Sequence, residues 1–227
     1  MITNTSEHSN EPGHPAIGSA ATLGRMTADI ELRMDQIQVS EMDNNVYLLH
    51  DDTEGLLIDA ASDPDAIMTM AERAGVSINY VLTTHRHHDH VGALTEVLRR
   101  TGATHLASFL DSPALPAKVD VELEHGDIID FAGHELPVFV LRGHTPGGAG
   151  VAVRIDGVPH LFVGDSLFPG GLGKTTSEGD FARLFKDVKD RIFDVYGDHS
   201  VVHPGHGDST TLGAERPKLD EWWERRW

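Results

Sequence analysis

The chain has 227 residues, 39% of them hydrophobic, enough for one sizeable domain with a full core. Its 36 acidic residues against 18 basic ones leave a formal charge of −18, a field that repels phosphate backbones and anionic lipid surfaces and argues against nucleic acid as a partner. Cysteine is absent, which excludes disulfides and thiolate metal sites, so any metal must be held by nitrogen and oxygen, and 15 histidines become the informative count.

In chain order, residues 1–28 are rich in Ser, Thr, Asn, Gly and Pro without apolar periodicity and are expected to be a mobile lead-in, leaving 29–227 as a single domain. Neither an apolar signal core nor a run of about 18 apolar residues occurs, so no membrane partner is expected and the cytoplasm is the expected location. "VYLLH" and "LLIDA" read as short strands, followed by a helix with Asp63 as N-cap, Pro64 at its first position and Gly75 at its end. Next come the strand "INYVLTT", a histidine cluster, and a helix "VGALTEVLRR" that stops before Gly102. "ATHLAS", "DIIDF", "LPVFVLR", "GVAVRI" and "HLFVGD" look like further strands. A helical period runs from about Glu178 to Tyr196, "SVVHPG" is a strand and turn, and residues 214–225 can form a last helix. Many strands with a few helices between them indicate a layered α/β sheet protein with helices outside. Trp222, Trp223 and Trp227 read as packing anchors, with a homodimer contact as the alternative.

"THRHHDH" places four histidines and an aspartate in the six positions 85–90, directly after an apolar strand. Alternate side chains of an extended segment point the same way, so His85 and His87 can reach one metal together while Asp89 and His90 point to a neighbouring position. His144, Asp165 and His206 each follow another strand in a glycine-containing turn, where polar side chains face a crevice over a rigid sheet.

Those motifs, Asp59 with "THRHHDH", "GHTPGG", "GDSLF" and "PGHG", resemble the metallo-β-lactamase-fold hydrolases. "FVGDSLFPGGLGKT" and "HPGHGDSTTLGAER" are similar to the glyoxalase II group, particularly its short single-domain members. The resemblance implies a four-layer αββα sandwich with two divalent metal ions. It places the first metal on His85, His87 and His144 and the second on Asp89, His90 and His206, with Asp165 bridging them. Zinc is the expected metal, and iron or manganese suits the same donors. Three residues per metal plus a bridge leave an open position, as catalysis requires.

The expected reaction is cleavage of a small-molecule acyl thioester or ester by a hydroxide between two cations. Asp89 is read as a catalytic residue that orients water or carries its proton, in addition to ligating. Asp59, at the end of "LLIDA", is read as fixing a ligand histidine, with a turn cap as the alternative. Lys174 matches the position where glyoxalase II-like proteins hold an anionic part of the substrate, with a solvated lysine as the alternative. His88 is expected to line the site without ligating. The alternatives are a persulfide dioxygenase with one iron on His85, His144 and Asp165, and a lactonase.

Overall fold

Runs such as "VYLLH" and "GLLI" are apolar at consecutive positions, the pattern of strands buried on both faces. In the computed structural model, which describes residues 31–226, these runs build two six-stranded sheets. The first comprises β1 (Arg33–Val39), β2 (Asn44–His50), β3 (Glu54–Ile58), β4 (Ser77–Thr83), β5 (Thr104–Ser108) and β6 (Val121–Leu123) in that order. Pairing is antiparallel through β3 and parallel beyond it. The second sheet contains β7 (Ile128–Phe131), β8 (His134–Leu141), β9 (Gly148–Ile155) and β10 (Val158–Gly164). A two-stranded ribbon, β11 (Leu167–Phe168) with β12 (Gly171–Leu172), follows β10, and the sheet is completed by β13 (Val201–Pro204) and β14 (Thr210–Thr211) in the order β14-β13-β10-β9-β8-β7.

Period two assigns each strand residue to one of two cores. Leu49, Leu56 and Ile58 of the first sheet meet Val138, Val151 and Phe162 of the second, so the sheets pack face to face. Leu48, Leu57 and Val81 turn outward onto helices α1 (Pro64–Ala74) and α2 (Leu94–Thr101). On the far side Phe139, Leu141 and Leu161 meet α3 (Glu178–Val188), the single turn α4 (Leu212–Glu215) and α5 (Leu219–Arg225). The result is an αββα sandwich of four layers.

Caps explain the helix limits. The Asp63 side chain accepts the Ala66 N–H at the start of α1, and Gly75 ends it in the left-handed region at φ 76°. Two expected helices are interrupted. The segment to Tyr196 is helical only to Val188 and continues as a π turn over Lys189–Phe193. The last helix is divided by a 3-10 turn at Arg216–Lys218, where Pro217 lacks an amide proton. Strand β1 escapes the pattern because it is a largely exposed edge strand. Trp222 is fully buried in the outer core, whereas Trp223 is partly exposed and lies 3.9 Å from the Arg226 guanidinium. The expected lead-in over residues 1–28 and Trp227 lie outside the described residues. No helix among the described residues is long and apolar enough to cross a membrane.

Candidate metal centre

Five loops converge at one edge of the sandwich. The extended chain after β4 carries His85 and His87, and a 3-10 turn over His88–His90 then swings Asp89 and His90 back toward them. His144 follows β8, Asp165 follows β10, His206 follows β13, and Asp59 ends β3. The donors gather as His85, His87 and His144; as His85, His90 and Asp165; and as Asp89, His90 and His206, the atoms of each set lying within 4.8 Å of one another. Asp165 stands between the groups, its Oδ2 at 3.6 Å from His144 Nε2 and 3.4 Å from His206 Nε2.

The imidazoles are oriented from behind. His90 Nδ1 donates to Asp59 Oδ2 at 2.7 Å, His144 Nδ1 to the Lys174 carbonyl at 2.7 Å, and His206 Nδ1 to the Met42 carbonyl at 2.8 Å. His85 Nδ1 lies 3.0 Å from the Thr84 hydroxyl, which itself donates to Asp59. Carbonyls and carboxylates only accept, so in these rings the proton sits on Nδ1 and Nε2 offers a lone pair inward. Asp59 is buried and also accepts the Thr84 N–H at 2.7 Å.

These residues fit divalent cations. His90 Nε2 and His206 Nε2 face each other at 3.1 Å, as do His85 Nε2 and His87 Nδ1. Two lone pairs at that distance repel unless a cation lies between them, and donors about 2.0–2.1 Å from a tetrahedral zinc stand roughly 3.3 Å apart. Among the described residues, His144 Nε2 and Asp165 Oδ1 are buried without a hydrogen-bond partner. Gly205 keeps the cradle open, because a Cβ there would overlap Asp165 Oδ1 and approach His90 Cε1 at 2.6 Å.

Electrostatics agree. Burial, reinforced by neighbouring histidines, depresses the pKa of His85 and of His87, which favours the neutral imidazole a metal needs. Burial opposes charge on His90 as well, yet the Asp59 and Asp165 carboxylates prevail and raise it to about 10. Burial would raise Asp165, but His206 and His90 hold it well below the usual carboxylate range. Without a metal these carboxylates favour a second proton on His90 Nε2, and a cation bound there would displace that proton and occupy the same negative field.

Other expected residues stand differently. His88 does not line the donor cluster: its side chain is 95% exposed, because the 3-10 turn that brings Asp89 and His90 inward rotates it out. Lys174 has an exposed side chain, and its carbonyl rather than its amine reaches the centre. Asn44 went unnoticed in the sequence. It is fully buried, donates to Asp89 Oδ2 at 3.0 Å and bridges the His206 backbone. Its only local signal is a polar Asn44–Asn45 pair opening an apolar strand.

The model of the family described as the metallo-beta-lactamase superfamily matches residues 39–206. The chain is 37% identical over 134 residues to a hydroxyacylglutathione hydrolase of Maricaulis maris, covering 58% of this chain and 51% of that one. It thus spans about half the length of that relative. It is 28% identical over 206 residues to a hydroxyacylglutathione hydrolase of Haemophilus influenzae, covering 82% of this chain and 95% of the other. Among solved structures, the BLEG-1 B3 metallo-beta-lactamase superposes with a TM-score of 0.74 at 24% identity, covering 82% and 97% of the two chains. A protein crystallised in a di-iron-bound form superposes with a TM-score of 0.67 at 26% identity, covering 80% and 96%.

Proposed function

The chain belongs to the metallo-beta-lactamase superfamily, and from that premise we propose that it is a dinuclear metal-dependent hydrolase acting on small acyl thioesters. The observation that carries this reading is the doubled donor set sharing Asp165, with imidazole Nε2 atoms turned inward. The hydroxyacylglutathione hydrolase relatives and the di-iron neighbour support the same substrate class and metal count. Zinc, iron and manganese all suit these nitrogen and carboxylate donors.

Bound there, the two cations supply Lewis acidity toward a substrate carbonyl and a hydroxide at neutral pH. The chain's own groups do the rest. Asp89, fixed by the Asn44 amide and 3.2 Å from His206 Nε2, presents a carboxylate that orients the attacking water and takes up its proton. Asp165 keeps the two donor groups at one spacing, and Asp59 with Thr84 holds His85 and His90 in register. No serine or cysteine nucleophile is needed.

A persulfide dioxygenase with one iron on His85, His144 and Asp165 would leave Asp89, His90 and His206 gathered to no purpose, so the hydrolase accounts for more of the site. Elemental analysis of the purified protein alongside thiol release from acyl thioesters tests the proposal. Two metals per chain with metal-dependent release support it; a single iron with oxygen uptake, or acid release from lactones without thiol release, overturns it.

A further inference from the structure

Of the five imidazoles in the donor cluster, those of His85, His90, His144 and His206 each have a hydrogen-bond partner behind the ring. His87 has none among the described residues. Its Nδ1 faces His85 Nε2 at 3.1 Å, and its ring lies 4.6 Å from that of His144, centroid to centroid. The placement of His87 therefore depends on the backbone that carries it, and that backbone has already left strand β4 at Thr83.

A carboxylate outside the cluster holds this stretch. Asp111 lies just past the end of β5 and is 1% exposed. Its two oxygens are divided between two loops. Oδ2 accepts the N–H of Arg86, between His85 and His87, at 3.1 Å, and Oδ1 accepts the N–H of Gly147, just beyond His144, at 3.1 Å. Among the described residues no Lys, Arg or His side chain pairs with Asp111, so backbone N–H groups supply the partners that a buried carboxylate requires. The same short loop grips Gly147 a second time, because the Ser108 hydroxyl donates to the Gly147 carbonyl while its oxygen accepts the Asp111 N–H at 3.2 Å. Only glycine permits this approach: a Cβ at Gly147 would stand 2.7 Å from Leu110 Cβ. The Phe109 N–H, bonded to the Leu123 carbonyl at 3.1 Å, ties the loop to β6 and so to the sheet.

We propose that Asp111 is a positioning residue for the metal ion held by His85, His87 and His144, fixing the spacing of the two loops through their backbone amides. The inference rests on the two-metal reading of the site and adds a residue that sets the affinity of one metal and not of the other. None of Asp89, His90 and His206 is hydrogen-bonded to Asp111 among the described residues. A carboxylate suits the role because both of its oxygens accept. Asparagine has one oxygen and would turn its amino group toward one of the two N–H donors, opening one side of the clamp at nearly unchanged volume.

The test is cobalt(II) binding to the full chain, read by competition with a chromophoric chelator, in two backgrounds that each keep one donor group. His206→Ala leaves His85, His87 and His144, and His87→Ala leaves Asp89, His90 and His206. Asp111→Asn is expected to weaken cobalt binding by about tenfold or more in the first background. In the second the affinity should stay within about twofold. Gly147→Ala, which forces the same two loops apart from the other side, should show the same pattern. Equal losses in both backgrounds would mark a general structural effect and overturn the assignment, as would no loss in either. In the otherwise unaltered chain, Asp111→Asn should release one cobalt ion more readily and keep the visible absorption of the other; unchanged affinity for both overturns the proposal. None of these measurements depends on turnover. A chain that binds two cobalt ions but cleaves no thioester sinks the hydrolase reading and leaves Asp111 to be judged on the affinities, whereas a chain that binds no cobalt sinks both.

Discussion

The Asp59 carboxylate accepts the His90 Nδ1 proton at 2.7 Å while the same Oδ2 takes the Thr84 hydroxyl, also at 2.7 Å. Thr84 stands in turn beside His85 Nδ1, so one buried carboxylate governs the orientation of an imidazole in each half of the centre.

Asp59→Asn should therefore act mainly on His90. Asparagine tolerates the φ of 60° at this position, so the backbone stays in place while the acceptor weakens. Affinity for the cation nearest His90 is expected to fall by about 10–100-fold. Competition with a chelator measures it; affinity equal to that of the unaltered chain would leave Asp59 with only a turn-capping role.

His206→Ala removes a ligand from one group alone, since His206 gathers with Asp89 and His90 and not with His87 or His144. Metal content is expected to drop from two per chain to one, with loss of thioester turnover. Elemental analysis that still finds two would refute the ligand assignment.

Gly205→Ala places a methyl group against Asp165 Oδ1 and His90 Cε1. The bridging carboxylate must shift, and a displacement near 1 Å can cost about 100-fold in rate. Both metal occupancy and kcat should fall while the far-UV circular dichroism is unchanged. Retained full activity would mean that Asp165 does not hold the two donor groups at a fixed spacing.

His203 lies outside the donor cluster, stacked on Phe162 and held between His160 and Ser209. Burial, aided by His160, pushes its pKa down to about 4. The unfolded chain takes up this proton near pH 6.5 and the folded one does not, so stability is full above that pH and is lost as pH falls toward 4, by about 3 kcal/mol. Denaturation of the metal-free protein across that window should show a shallower acid loss in His203→Gln, with other titrations cancelling in the comparison. Parallel curves for the two proteins would contradict this.

The gathering of the seven candidate donors was legible in the sequence because their grouping is partly local. Along an extended segment His85 and His87 share a side by period alone, and Asp89 with His90 follow too closely to join any but the adjacent position. The layers were legible for a similar reason, since doubly apolar strands such as "VYLLH" require cover on both faces. Neighbour relations that depend on sheet pairing were not. Asn44 meets Asp89 and His206 only because β2 lies beside the turn after β13, and His88 leaves the site only because a 3-10 turn follows His87. Spacing within a segment determines which donors can act together; the packing of strand ends distant in sequence decides which polar groups support them.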